Sequence, residues 1–387
     1  MNILLDFITL SRRTGAGEYL RCVYKQLTEA ATDNITLYAL YDSAKGIAYN
    51  DLVPDELVKK GIQPIDIYQQ RLTDIINRMA IDKFFIGCAQ YVGNYPCLED
   101  INCPVICVIH DLAYEEQYRE DLDVYYRLKA KSTISFVNWL IFHRKKDISR
   151  NDLISPYVKL AKHNMQVTFV TVSDFTRHSL LYSMDIPEDR VKVLYSPERI
   201  YVQSTDVISN EVRSLLDKKI FLLLGAQHAS KNALRAIHAF EMFAKTHPDN
   251  YLLTVGYKNM PRFKQHLVLP FLNDGELMAV YQSCHALLYP SLFEGFGYPP
   301  LEAMHYGKPV MASNIGPIRE IFGDAPIYFN PFSETDIFYT LCTTKEEDYA
   351  LAAKRSSEQF KHISIRLRQD LSMLLKLILE APNRPCT

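Results

Sequence analysis

The chain has 387 residues, of which 48% are hydrophobic and 23% charged, and a formal net charge of −2 at pH 7. These values are typical of a soluble globular protein with about two domains, and the charge gives no reason to expect nucleic acid as a partner. The first residues lack a basic leader and a small-residue cleavage site, and no apolar run reaches the roughly 18 residues of a spanning helix. We therefore expect no signal peptide and a cytoplasmic location.

Short apolar runs recur along the chain, with helix-length segments between them. Runs of four to six apolar residues without alternation are typical of strands buried on both faces of a parallel sheet. Strands that alternate with helices predict right-handed βαβ units, and hence an α/β fold. The predicted strands include 2–7, 35–41, 105–109, 167–172, 192–195, 220–224, 251–255, 286–289 and 309–312.

A break in this pattern falls near residues 197–217. Pro197 ends one strand, and the polar, turn-rich segment 204–210 precedes the next. We interpret the break as a linker between two Rossmann-like, doubly wound domains, residues 1–200 and 201–361. The tail has a helical period, and its last part, about 362–387, is predicted to pack back onto the first domain.

Polar residues follow several predicted strands at their carboxyl ends, where open α/β sheets bind ligands. Each signal is ordinary alone, but together they predict a cleft between two sheets, lined by cations and free amides. The signals are Arg12-Arg13-Thr14-Gly15-Ala16-Gly17 after the first strand, His110-Asp111 after 105–109, Ser173-Asp174 after 167–172, and Gly225 to Lys231-Asn232 after 220–224.

The most informative stretch is YPSLFEGFGYPPLEAMHYGKPV, residues 289–310. Two carboxylates, Glu294 and Glu302, have seven residues between them, one before a glycine loop and one inside the following helix. The backbone amides of Gly295, Phe296 and Gly297 are then available to an anion at the helix N-terminus. Because Glu302 lies about one turn into the helix, it faces back toward whatever that anion carries. The stretch predicts a site for a phosphate that bears a hydroxylated sugar.

These strings resemble the family 4 glycosyltransferases, which have the GT-B architecture of two Rossmann-like domains facing across a cleft. The resemblance extends from residue 2 to about residue 330, and the strings around the two carboxylates are its most specific part. The supporting strings are IHDL at 109–112, VTVSD at 170–174, VKVLY at 191–195, LG…KN at 224–232, DGELMAVY at 274–281 and NIGPIRE at 314–320.

The resemblance implies roles for the residues of the carboxylate motif. Glu302 corresponds to the residue that accepts hydrogen bonds from the ribose hydroxyls of the donor, and Glu294 to the one that contacts the donor sugar. Gly295, Phe296 and Gly297 would present their amides to the sugar and to the diphosphate.

The resemblance also implies roles outside that motif. Gly225 and Lys231 belong to the donor site, and Lys231 would neutralise the departing diphosphate. Gly17 corresponds to backbone that approaches the phosphates from the other domain, and His110 to the histidine beside the reacting face of the sugar. Family members transfer the sugar with retention of configuration and without a metal or another cofactor. The implied partners are a nucleoside-diphosphate hexose and a glycan or lipid-linked acceptor of surface polysaccharide synthesis.

The chain departs from the family pattern near Lys231. Many relatives carry an arginine where this chain has Ala226 or Ser230. Because the site then has one cation fewer, we consider an alternative function. The protein would be a weakly active or inactive relative that binds a nucleotide sugar and acts as a partner subunit. Arg12 or Arg13 is a candidate to compensate. A sugar-nucleotide epimerase on the same architecture is a third, weaker alternative, against which the strings around Glu294 argue.

Three further patterns have competing interpretations. Cys103, Cys107 and His110 are close enough to suggest a metal site, but the buried-strand pattern around Cys107 favours packing, with the thiols reduced. The Asp121-Leu-Asp123 triplet resembles the metal-binding DxD of other transferases and lies in an acidic helical stretch. Residues 136–146 combine an apolar face, Trp139 and a basic end, which suits either a helix on the membrane surface or a buried helix.

Overall fold

The computed structural model describes residues 1–11, 14–32, 34–89, 100–112, 160–161, 164, 166–184, 186–199, 207–256 and 262–381. These residues divide into two compact units. The first takes 1–112, the described residues between 160 and 199, and 365–381; the second takes 207–364. Arg12, Arg13, the 121–123 triplet and the 136–146 segment lie outside the described residues.

The first unit is a parallel seven-stranded sheet in the order β3-β2-β1-β4-β5-β6-β7. Its first six strands follow the order of a doubly wound nucleotide-binding sheet. The strands are β1 (Asn2–Asp6), β2 (Thr36–Tyr41), β3 (Ile62–Asp66), β4 (Lys83–Ile86), β5 (Val105–Ile109), β6 (Val167–Thr171) and β7 (Val191–Val193). The described helices of this unit are α1 (Gly15–Ala30), α2 (Pro54–Lys59), α3 (Leu72–Arg78) and α4 (Asp174–Ser183).

The second unit repeats the same winding with six parallel strands in the order β10-β9-β8-β11-β12-β13. Its strands are β8 (Lys219–Leu223), β9 (Asn250–Val255), β10 (His266–Leu269), β11 (Ala286–Tyr289), β12 (Val310–Ser313) and β13 (Ile327–Phe329). Its helices are α5 (Asn210–Arg213), α6 (Ala233–Ala244), α7 (Asp274–Ser283), α8 (Tyr298–His305), α9 (Gly316–Phe322) and α10 (Glu334–Thr343). The prediction of two Rossmann-like α/β domains is confirmed.

A last helix, α11 (Glu346–Leu379), contributes to both units, with the division between Ser364 and Ile365. In the first unit its C-terminal part is fixed by the ammonium of Lys83, which donates to the carbonyl oxygens of Leu377 and Glu380 at 2.7 and 2.6 Å. A charged residue at the start of a buried strand thereby finds hydrogen-bond acceptors, as a buried charge requires.

The cysteines of β5 and its approach are buried. Burial raises the pKa of the Cys103 thiol to about 12 and also raises the pKa of Cys107, so both stay protonated at neutral pH. Within the described ranges, no group of three or more metal-ligating side chains comes together. No helix in those ranges is both long and apolar enough to cross a membrane.

Candidate active site

Two neighbouring strands of the second unit bring the predicted donor residues together. β8 and β11 pair in parallel, so the loops that follow them leave the same edge of the sheet. Lys231 lies in the first of these loops and Glu294 in the second. The amide of Leu292 donates to the carbonyl oxygen of Ser230 at 2.8 Å, which ties the two loops to each other.

The loop after β8 is shaped to support the side chain of Lys231. Gly225 has a φ of +71°, and a Cβ there would lie 3.4 Å from Cγ of Lys231, so the lysine stem packs beside it. Asn232, the next residue after the lysine, is buried in a left-handed conformation. Its amide donates to the carbonyl oxygens of Pro290 and Pro331 at 3.1 and 2.7 Å. The backbone that carries Lys231 is therefore fixed to the loop that carries Glu294.

Three donors meet at one oxygen of Glu294. Oε1 accepts from Nζ of Lys231 at 2.5 Å, from Oγ of Ser291 at 2.5 Å and from the hydroxyl of Tyr289. Nζ of Lys231 also lies 3.2 Å from that hydroxyl and 5.2 Å from the centre of the Tyr289 ring. The side chains of Lys231 and Glu294 are 23% and 11% exposed, so the pair is partly sheltered from water but still accessible.

The glycine loop after Glu294 presents backbone donors at the start of α8. The amides of Gly295 and Gly297 have no hydrogen-bond acceptor in the part of the chain that the structure describes. Gly297 has a φ of +101°, and a Cβ there would lie only 2.9 Å from Cδ1 of Ile318, so glycine is required. Because Pro299 and Pro300 in the first turn have no N–H, the loop amides are the backbone donors that can serve an anion here.

Glu302 points inward from α8. The residue is 5% exposed, and its Oε2 accepts from the hydroxyl of Tyr281 on α7 at 2.7 Å. A solvent-exposed helix glutamate would have neither feature. Burial raises the pKa of Tyr289, and the carboxylates of Glu294 and Glu302 raise it further. Both glutamates therefore act electrostatically on the same tyrosine.

The remaining predicted residues, His110 and Gly17, belong to the first unit. Nε2 of His110 lies 3.0 Å from the carbonyl oxygen of Gly87, and its ring packs edge-on against Tyr19 at 4.8 Å. Because a carbonyl only accepts, Nε2 carries the proton. Burial lowers the pKa of His110, which keeps the ring neutral near pH 7 and leaves Nδ1 as an acceptor.

Gly17 lies in the first turn of α1 rather than in a loop before it. Its amide donates to Oγ1 of the N-cap residue Thr14 at 3.1 Å. The N–H of Gly17 therefore already has an acceptor within its own helix.

A separate depression of about 470 Å³ lies at the opposite edge of the second sheet. It is lined by residues at the amino ends of β8, β11 and β12, including Lys219, His285 and Lys308. Helices α7 and α8 end at this edge, where nearby lysines complement the negative ends of the helix dipoles. The depression is therefore distinct from the cluster formed by Lys231, Glu294 and Glu302.

The sequence matches a family model in the unit that carries this cluster. Residues 204–330 match the family described as "Glycosyl transferases group 1". The chain is 30% identical over 199 residues to the serotype-specific mannosyltransferase WbdA of Escherichia coli, covering 46% of this chain and 24% of that protein. It is 30% identical over 195 residues to the O-antigen chain mannosyltransferase RfbU of Salmonella typhimurium, covering 47% and 50%. The chain thus spans half or less of the length of these curated relatives.

Solved structures show the same fold over nearly the whole chain. HepE of Anabaena in complex with UDP aligns with a TM-score of 0.66 at 15% identity, covering 97% of this chain and 99% of that one. A glycosyltransferase from Rickettsia africae ESF-5 aligns with a TM-score of 0.63 at 16% identity, covering 98% and 99%. The protein therefore has the GT-B fold, and residues 204–330 of its second unit are similar to the group 1 glycosyl transferases.

Proposed function

We propose that this protein transfers a hexose from a nucleoside diphosphate to a glycan or lipid-linked acceptor during the assembly of a surface polysaccharide. The transfer proceeds with retention of configuration and without a metal. The observation that carries the proposal is the cluster of Lys231, Glu294 and two loop amides at one edge of the second sheet, with Glu302 turned inward on the adjoining helix.

The cluster suits a diphosphate leaving group. As the glycosidic bond breaks, the bond electrons pass to the diphosphate oxygen, which gains negative charge. Fixed donors aimed at that oxygen stabilise the transition state more than the ground state. Lys231 supplies a cation, and the amides of Gly295 and Gly297 supply hydrogen-bond donors at the start of α8. Gly225 lies beside the lysine stem, and its positive φ favours glycine at that turn.

The two carboxylates suit the two sugars of the donor, the ribose of the nucleotide and the sugar that is transferred. Sugar hydroxyls donate to carboxylates, and a hydrogen bond to a charged group is worth about 1.5–3 kcal/mol. We assign Glu302 to the ribose hydroxyls and Glu294 to the transferred sugar. Phe296 belongs to the same loop and shapes its path, since it is buried against Tyr298 with a centroid distance of 5.7 Å.

The first unit contributes His110 and Gly17 in this proposal. A neutral His110 whose Nε2 is bound to Gly87 keeps Nδ1 as an acceptor for a sugar hydroxyl. Gly17 provides a position without a side chain beside the phosphates. We also propose that the protein acts in the cytoplasm.

The relatives suggest which sugar to test first. WbdA and RfbU are named as mannosyltransferases, and RfbU as one that acts on an O-antigen chain. HepE binds UDP and UDP-glucose in its crystal structures. We therefore propose mannose as the first candidate for the transferred sugar, and glucose as the comparison.

A second candidate function is a nucleotide-sugar-binding relative with little or no activity. It is favoured by Ala226 and Ser230, which occupy positions where many family members have arginine. Ala226 is buried, and the carbonyl oxygen of Ser230 is used in the contact with Leu292. Lys231 therefore supplies the charge near this turn without a neighbouring arginine at either position.

A binding screen followed by an assay separates these functions. The full chain is first tested by thermal shift against GDP-mannose, UDP-glucose and related nucleotide sugars, because a tight ligand raises the melting temperature. The donor that binds is then incubated with lipid-linked glycan acceptors, and released nucleoside diphosphate is measured. Acceptor-dependent release with an α-linked product from an α-linked donor supports the proposal. Binding without release supports the inactive relative, an epimerised donor without acceptor supports the epimerase, and no binding contradicts the donor site.

A further inference from the structure

The two oxygens of the Glu294 carboxylate have different surroundings. Oε1 accepts all three hydrogen bonds, from Lys231, Tyr289 and Ser291. Oε2 has no hydrogen-bond partner within the described residues, and it is not among their fully buried unpartnered atoms, so it retains some access to solvent. A carboxylate held by one oxygen has a fixed direction for the other.

We propose that Tyr289 and Ser291 are positioning residues that hold Glu294 by Oε1 so that Oε2 faces a hydroxyl of the transferred sugar. This inference rests on the proposed function, because it takes a sugar as the ligand of Oε2. It assigns two residues, one at the end of β11 and one in the loop after it, to recognition of the sugar but not of the nucleotide.

The hydroxyls of Tyr289 and Ser291 can hold Glu294 in place when Lys231 moves away from it. In the structure Lys231 donates to Glu294, yet the proposed mechanism requires the same ammonium at the diphosphate. If Lys231 turns to the diphosphate, Glu294 loses one of its three donors. Tyr289 and Ser291 are neutral and are not drawn to the phosphates by charge, so they keep the carboxylate in place during that exchange.

Both hydroxyls are themselves held rigidly. Ser291 is 0% exposed and Tyr289 is 1% exposed, so neither side chain can swing into solvent. The carbonyl oxygen of Tyr289 accepts from Oγ of Ser313 on β12 at 3.3 Å, which ties the end of β11 to its neighbour. Burial raises the pKa of Tyr289, so its hydroxyl keeps the proton that it donates to Glu294.

The test compares two ligands that differ only in the sugar. Tyr289→Phe, Ser291→Ala and the double variant are titrated with the nucleoside diphosphate alone and with the nucleotide sugar found by the screen. We expect the affinity for the diphosphate to stay within about twofold. We expect the affinity for the nucleotide sugar, and kcat where transfer is seen, to fall by about tenfold for each hydroxyl removed, as for a lost hydrogen bond to a charged group.

Two controls separate positioning from a loss of folding. Ser291→Thr retains the hydroxyl and is expected to restore nucleotide-sugar binding to within a few-fold of the wild type. Tyr328→Phe removes a partly buried hydroxyl that donates to the carbonyl oxygen of Gly323 at 2.5 Å, in the same unit but without a hydrogen bond to Glu294. The Tyr328→Phe variant is expected to alter stability without changing the ratio of the affinities for the diphosphate and the nucleotide sugar.

A third comparison uses Glu294 itself. In a Glu294→Gln background, Tyr289→Phe should have less than threefold effect on nucleotide-sugar binding, because the residue it positions is already changed. The positioning role is overturned if the variants lose the same affinity for the diphosphate as for the nucleotide sugar. It is also overturned if Tyr289→Phe lowers nucleotide-sugar affinity as much in the Glu294→Gln background as in the wild type. Either result leaves the proposed function intact. A wild type that binds the diphosphate but shows no preference for any nucleotide sugar overturns both.

Discussion

The hydroxyl of Tyr281 on α7 lies 2.7 Å from Oε2 of Glu302 on α8, and both residues are buried. A buried carboxylate is costly unless hydrogen bonds compensate its charge. The Tyr281 hydroxyl supplies one such bond and fixes the carboxylate on the inner side of α8. The contact also joins two helices that flank β11, so the position of Glu302 depends on the packing of α7 as well as on its own helix.

Replacing Glu302 should impair the use of the donor. We expect Glu302→Gln to lower kcat/KM for the donor by about tenfold to a hundredfold, because an amide is a weaker acceptor for ribose hydroxyls than a carboxylate. Tyr281→Phe should have a smaller effect, since the carboxylate remains. Initial rates at varied donor concentration measure both. Glu358→Gln, on the exposed face of α11, is the matched control, and an equal loss in that variant would contradict the assignment.

Replacing Lys231 should affect the departure of the diphosphate. We expect Lys231→Met to lower kcat by about a hundredfold to a thousandfold, the range found when a donor to a developing anion is removed. The diphosphate product should also bind more weakly and with less dependence on salt. Lys354→Met removes a lysine that is 75% exposed on α11 and should behave as the wild type. A Lys231→Met protein with unchanged kcat would show that another cation serves the diphosphate.

The sequence predicted the central strands well because their burial leaves a continuous apolar pattern. Strands β5 and β11 have the predicted bounds, and each of their residues is buried. The four strands that were not predicted are β3, β4, β10 and β13. Three of these, β3, β10 and β13, lie at sheet edges. Gln63 and Pro64 interrupt the apolar run of β3, and β10 and β13 have only four and three residues. The fourth, β4, begins with Lys83, whose ammonium donates to carbonyl oxygens at and just beyond the end of α11.

The candidate site residues were proposed in two ways: the glycine loop and its two carboxylates from one stretch of sequence, and Lys231, which is 63 residues from Glu294, from the family resemblance. Glu294, Glu302 and the glycine loop lie within nine residues of each other, so the motif alone identified them. Tyr281 is 21 residues from Glu302 on another helix, and no local pattern connects the two. Tyr289 and Ser291 stand in the motif, but only the fold places both hydroxyls on the same carboxylate oxygen.

Replacing Asn232 should destabilise the second unit by two separable effects. Its amide donates to the carbonyl oxygens of Pro290 and Pro331, and its φ and ψ are 54° and 30°. Asn232→Ala loses the hydrogen bonds, at a cost of about 1–3 kcal/mol, and adds about 1 kcal/mol of left-handed strain. Asn232→Gly loses the bonds without the strain. Urea denaturation should therefore show Asn232→Gly to be the more stable variant, and the reverse order would contradict this account of the backbone.

Acidification should destabilise the protein in part through His285. The ring packs edge-on against Phe221 and Tyr349, and its Nε2 has no hydrogen-bond partner among the described residues. Burial lowers the pKa of His285 to about 4; nearby Lys219 and Lys308 act in the same direction, and Glu346 opposes them. The unfolded chain binds a proton near pH 6.5 and the folded chain does not until about pH 4, so stability falls as the pH drops through this window.

The measurement compares the free energy of unfolding at pH 7 and pH 5. We expect His285 to account for part of the loss between these values. Because the ring is only partly buried, solvent screening keeps its share below the roughly 1.36 kcal/mol per pH unit that a fully shielded group would lose below pH 6.5. His285→Phe keeps an aromatic ring between Phe221 and Tyr349 but cannot bind a proton, so its stability should fall less. It should also be no less stable than the wild type at pH 7, because the unpartnered Nε2 is gone. His362→Gln, an exposed change on α11, should keep the full pH dependence. If His285→Phe lost as much stability as the wild type between pH 7 and pH 5, another group would be responsible.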